Sequence, residues 1–154
     1  MKFSEMPYKR IKMEEVEKEY KSIIERTKNA KSGEEQFEIH REYYKFTADI
    51  QTSMELAMIR HDIDTTDEFY EKESDFYDEV GPIISQYENE YGKVLYDSPY
   101  RDYLESKIGK VTFKNIEIAN KAFDEKIIPL MQEENALSSR YSKLIATAKI
   151  PFEG

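Results

Sequence analysis

The chain has no cysteine and no tryptophan among its 154 residues. Without cysteine there is no disulfide, no thiolate ligand and no cysteine nucleophile, which fits a reducing compartment. Glycine and proline number five each, so few positions break a helix. No two glycines lie within ten residues of each other, which leaves no glycine loop to cradle a phosphate. No run of about 18 apolar residues exists to span a bilayer, and the opening MKFSEMPYKR lacks the apolar core of a signal peptide. The expectation is a cytoplasmic protein without a membrane partner. Basic clusters are missing too: 23 Lys and Arg are scattered among 32 acids, for a net charge of −9. A nucleic-acid face needs clustered cations, so a nucleic-acid partner is not expected.

What remains is a chain rich in helix formers and aromatics. Hydrophobic residues make up 39% and charged residues 36%, with 12 Tyr and 8 Phe. That is too apolar for disorder and long enough for a single domain, residues 1–154, with a real core. Apolar residues recur every three or four positions. Met13, Val16, Tyr20, Ile23 and Ile24 predict a helix from about Met13 to Ala30. Ser32 and Glu35 form a capping box for a second, long helix from Gly33 to about Asp62. Thr65 or Thr66 caps a third long helix that reaches about Tyr96, with Gly81-Pro82 kinking it inside. Ser98-Pro99 opens a short fourth helix that stops near Gly109. A fifth, from about Val111 to Phe123, turns Ile116, Ala119 and Phe123 inward. The last runs from about Asp124 to Lys149 with Pro129 in its first turns, carrying Leu130, Met131, Leu137, Tyr141, Leu144 and Ile145. The lead-in up to Lys12 and the final Ile150–Gly154 read as extended, the latter as the opening of a segment that has been cut off. The fold class expected is all-α: an antiparallel bundle or array of about six helices, two of them long.

Candidate chemistry is sparse. His40 and His61 are the only histidines, and neither sits in an H-E-x-x-H motif. On one continuous helix, 21 residues apart at about 1.5 Å each, they stand roughly 30 Å from each other and cannot share a zinc ion. Both fall on the apolar stripe, where a hydrogen-bonded core or boundary histidine is the favoured reading. Nine carboxylates crowd Asp62 to Glu79. The Asp62-Ile63-Asp64 start suggests a calcium loop, but the turn glycine and terminal bidentate Glu are missing. Asp67 and Glu68 suit the positive end of a helix dipole instead. Ser138 and Ser139 have no neighbouring histidine and no G-x-S-x-G context. The tyrosines could line a peptide channel or straddle the edge of a helical core, and spacing does not separate the two. Read from residues alone, the chain holds no catalytic centre.

Five strings carry a resemblance. They are Phe3–Tyr8 (FSEMPY), Ile59–Tyr70 (IRHDIDTTDEFY), Gly81-Pro82, Asp97–Arg101 (DSPYR) and Glu133–Ala146 (EENALSSRYSKLIA). In this order they make essentially the whole chain resemble the N-terminal helical region of the oligoendopeptidases F, zinc metallopeptidases of peptidase family M3. The resemblance implies a cytosolic hydrolase of short peptides that works inside a deep channel, with this region forming one wall. In that family the zinc ligands come from an H-E-x-x-H helix and a downstream Glu much later in the chain, where the motif's Glu activates water. None of these residues is here. No catalytic or metal-binding residue carries over, substrate-binding residues stay unassigned, and zinc is expected only in a full-length member. The chain is therefore expected to be inactive alone and to act as a scaffold for the missing C-terminal catalytic part. An exposed apolar face is expected where that part docks, which could also drive self-association. The competing expectation is a free-standing helical interaction module descended from such a peptidase.

Overall fold

The computed structural model describes residues 5–148. Within them lie six α-helices and no strand: α1 (Met13–Asn29), α2 (Gly33–Ile63), α3 (Glu68–Tyr96), α4 (Arg101–Ile108), α5 (Lys110–Ala122) and α6 (Ile128–Ala146). A 3-10 turn at Glu125–Ile127 leads into α6. The all-α array expected from periodicity is therefore the architecture, with α2 and α3 as the two long members. The expected extended end at Ile150–Gly154 lies outside the described residues.

Helix α3 is the hub, packing against α1, α2, α5 and α6. Around it the core forms two clusters. One gathers Ile23, Ile24, Ile39, Tyr91, Leu95, Leu104 and Phe113; the other gathers Val16, Tyr20, Ile50, Ala57, Tyr77, Val80 and Ile84. Tyr43 and Phe46 pack against both and join them. Burial of each large side chain contributes about 1.5–3 kcal/mol. Gln36, nearly buried, knits three segments: its amide donates to the Thr27 carbonyl at 2.8 Å, and its oxygen accepts from the Ser98 hydroxyl at 2.5 Å.

Local chemistry sets the ends. The Ser32 hydroxyl accepts from the Glu35 N–H at 3.1 Å, and the Glu35 carboxylate returns to the Lys31 N–H at 2.7 Å, one residue before the expected box partner. At α3 the cap is Asp67, whose Oδ1 accepts from the N–H groups of Phe69 and Tyr70. Thr65 and Thr66 do not serve, because Thr66 is held in a turn by Asp64 Oδ1 through its N–H and its hydroxyl. Ser98 does bond forward, to the Tyr100 N–H at 3.0 Å, but Pro99 stays in the turn and α4 begins at Arg101. In α5 the inward anchor is Phe113, with Ile116 and Phe123 half-buried and Ala119 exposed. Gly109 sits between α4 and α5 at φ 103°, a conformation that a side chain would strain.

Pro82 lies inside α3, which continues past it. Gly81, which precedes it, has no Cβ to clash with the proline ring and so eases the helical conformation there. Proline still supplies no N–H to the Asp78 carbonyl. Helix α6 supplies one from outside: Asn135 Nδ2 donates to that carbonyl at 3.2 Å, and Gln132 Nε2 donates to the Glu79 carbonyl at 2.7 Å. Ser139 donates to Asp78 Oδ2 at 2.5 Å, and Lys143 pairs with Glu71. No residue of α6 is fully buried.

The segment before α1 is strapped to α3. Arg10 reaches Glu73 with two bonds, at 2.8 and 2.5 Å, and Tyr8 donates to the same carboxylate. Glu73 is almost wholly buried, and Arg10 also lies over the Phe76 ring at 4.6 Å. The Arg10 guanidinium holds the Glu73 carboxyl below the usual range, against the opposing effect of burial and with help from Tyr8.

Two predictions follow from these contacts. Replacing Gln132 and Asn135 together by Ala removes two bonds worth about 1 kcal/mol each. Amide exchange in α6 should then speed up roughly tenfold or more, while α1–α3 stay protected; unchanged α6 rates would show that its amides do not hold it. Arg10→Met leaves a buried carboxylate unpaired, and should lower stability by about 2 kcal/mol near neutral pH, part of the full buried-pair cost because Arg10 is half open to water. Glu73 has a depressed folded-state pKa, so its contribution is present above the ordinary carboxylate value of 4.5 and is lost as pH falls through the depressed value. The gap between Arg10→Met and the parent in urea unfolding should therefore shrink below about pH 4.5.

Candidate functional site

The histidines singled out by sequence fall on α2, which runs unbroken through both. Their separation of 21 positions therefore spans roughly 30 Å. His40 stacks on Tyr43 and Tyr91 at 6.0 Å, and its Nδ1 meets the Tyr91 hydroxyl at 3.0 Å. Burial pushes its pKa down, so it is neutral at physiological pH. This is a hydrogen-bonded histidine at the core boundary. His61 lies near the end of α2 with Asp62 Oδ1 at 3.8 Å, on the wall of a polar hollow of about 500 Å³ shared with Glu71, Asp75 and Arg140.

The acidic run is spread over separate structural tasks. Asp64 closes a turn, Asp67 caps α3, Glu71 pairs with Lys143, Glu73 takes Arg10, and Asp78 accepts from Ser139. Ser139 is thereby a structural donor, and Ser138 is exposed. Among the described residues no three His, Cys, Asp or Glu side chains converge as a metal would require. With His40 engaged by Tyr91 and His61 so far away, the donor set present does not fit the zinc implied by the family resemblance. The tyrosines divide: Tyr20, Tyr77 and Tyr91 are core residues, and Tyr44 and Tyr141 are exposed.

The surface that departs most from an ordinary domain exterior is on α6. Gln132, Asn135, Ser139 and Lys143 follow helical spacing and form its inner face. Its outer face is apolar: Leu130, Leu137, Tyr141 and Leu144 are 64, 56, 66 and 68% exposed. Ile145, beside them, is exposed as well. An ordinary surface helix has the opposite polarity, with apolar residues inward and polar ones in water. The periodicity of these residues was legible in the sequence, but its direction was not. Only contacts made by Asn135 and Gln132 to carbonyls more than 50 positions away decide it.

The remaining question is what such a domain is part of. A family model described as the peptidase M3 N-terminal domain matches residues 3–123. Among solved structures, a PZ peptidase A with an inhibitor is 41% identical with a TM-score of 0.96, over 99% of this chain and 27% of that one. An oligoendopeptidase F crystal structure is 39% identical, again with a TM-score of 0.96, over 100% of this chain and 27% of the other. A further oligoendopeptidase F, from Bacillus anthracis str. Ames, is 38% identical with the same TM-score, over 100% of this chain and 28% of its own. No curated protein matches. This chain thus spans little more than a quarter of the length of its structural relatives. With the helical architecture, the family match and these neighbours in agreement, the chain belongs to the peptidase M3 N-terminal domain family and corresponds to the N-terminal helical region of an oligoendopeptidase F.

Proposed function

We propose that residues 1–154 act as a single wall-and-scaffold domain of an oligoendopeptidase F-like peptidase, without catalytic residues of their own. The observation that carries this reading is the outward apolar face of α6. Contiguous apolar surface on a soluble domain is normally covered. The cover we assign is the polypeptide that makes up the other 73% or so of the relatives' chains, given that this one aligns with 27% of them. In the assembled enzyme, the zinc and the water-activating carboxylate would belong to that polypeptide. Short peptides would be cleaved at that centre in the cytoplasm, with this domain closing one side of the channel. The second reading, a free-standing interaction module, is less favoured because it leaves the α6 ridge in water. Self-association through the same ridge is expected of the scaffold domain when the catalytic part is absent, whereas the module reading expects a well-behaved monomer.

The test is cleavage of a fluorogenic peptide with zinc present, by this chain alone, by a separately produced catalytic part carrying H-E-x-x-H, and by their mixture. Cleavage that requires the mixture supports the scaffold reading. A mixture no better than the catalytic part alone would favour the independent module, and cleavage by this chain alone would place chemistry here after all. The double substitution Leu137→Asp and Leu144→Asp should weaken complementation at least tenfold. It should change the melting temperature of the isolated chain only slightly, because both side chains are more than half exposed.

A further inference from the structure

A hollow of about 360 Å³ between α3, α5 and α6 is walled by Ile116, Phe123, Ile127 and Met131. A second, of about 440 Å³, opens toward α2, and the two share Ser85, Glu88 and Met131. Their walls carry the carboxylates of Glu55, Asp78 and Glu88 but no Lys, Arg or His. Asp78 is already bonded to Ser139. Glu88 stands at the junction of the two hollows with no ion pair among the described residues. Its surface is open to water, yet protein crowds it from the sides. That crowding raises its carboxyl pKa, and the nearby Tyr20 hydroxyl offsets the rise only in part.

A second observation points the same way. Asn89, 8% exposed, lies on the wall of the first hollow. Its Nδ2 donates to Asn120 at 3.2 Å, but its Oδ1 is buried without a donor. An unsatisfied buried carbonyl is costly to the fold, and a ligand that brings N–H groups would remove that cost. The site therefore combines an apolar slot, a carboxylate lacking a counter-charge and an acceptor lacking a donor. A guanidinium supplies both the charge and several N–H donors in one plane, on an aliphatic stem that suits apolar walls.

We infer that this double hollow binds an arginine side chain of a peptide, with Glu88 as its counter-charge and Asn89 as a second acceptor. The inference rests on the peptide-channel reading above for the nature of the ligand, and it makes Glu88 a specificity-determining residue on the wall.

The test uses the 154-residue chain and two blocked tripeptides, acetyl-Leu-Arg-Leu-amide and its citrulline analogue, which keeps the shape and removes the charge. Titrations are followed by amide chemical shifts. The arginine peptide should bind roughly tenfold more tightly than the citrulline one, the value of one charge-assisted bond. Shifts should centre on Ser85, Glu88, Asn89 and Asn120. Glu88→Gln should abolish the preference, and Glu88→Asp should restore part of it. Equal affinity for the two peptides, no binding of either, or shifts confined to the outer face of α6 would overturn the inference. Should Glu88→Gln fail to fold, the arginine–citrulline comparison on the parent chain decides by itself. Restored cleavage in the mixture with no arginine preference would sink this site alone; arginine-selective binding without complementation would sink the scaffold reading alone.

Discussion

A proline in the middle of the hub helix sets the terms for the helix that packs across it, α6. Pro82 stays within α3, eased by the Gly81 before it, and the carbonyl of Asp78 is then left without its helical donor. That carbonyl is partly buried and gains from a donor, which the helix covering this turn brings. Helix α6 does so with Asn135 and Gln132, and extends the polar seam through Ser139 and Lys143. Once its inner face is committed to amides, a hydroxyl and an ammonium, the apolar residues of α6 have only the outer face left.

Much of the fold was legible because it depends on local rules. The 3–4 spacing, the Ser32 cap and the scarcity of glycine and proline placed α1 and α2 within a residue of their observed ends. The errors are also local. Asp67 and the two preceding threonines are all competent caps, and the choice fell to Asp67 because Asp64 engages Thr66 in a turn. On α5, Phe113 rather than Ala119 meets α3, since the inward row continues through Ile116 to Asn120, which bonds to Asn89. A polar residue on an inward row carries no hydrophobic signal.

The sites were far less legible, for one physical reason. Tyr8 and Arg10 meet Glu73 across 65 and 63 positions, and Gln36 meets Ser98 across 62. No periodicity encodes such pairs. Glu73 reads in sequence as one acid in a solvated run, and Glu88 as one charge on a helix surface. Only packing separates the buried, neutralised carboxylate from the crowded, unpaired one. His40 was readable because its position on the apolar stripe already implied burial with a partner, and Tyr91 is that partner.

The polarity of α6 also bears on where this helix belongs energetically. Its inner face is held by a few hydrogen bonds worth about 1 kcal/mol each and one partly exposed ion pair worth about 1 kcal/mol or less. Its outer face carries four large apolar side chains that are more than half exposed. Each would contribute on the order of 1 kcal/mol on burial of the area still in water. The apolar contribution still unrealised on the outer face is thus of the same order as that of the polar contacts on the inner one. A helix balanced in this way would suit the proposed role of an element shared between this domain and the polypeptide that covers it.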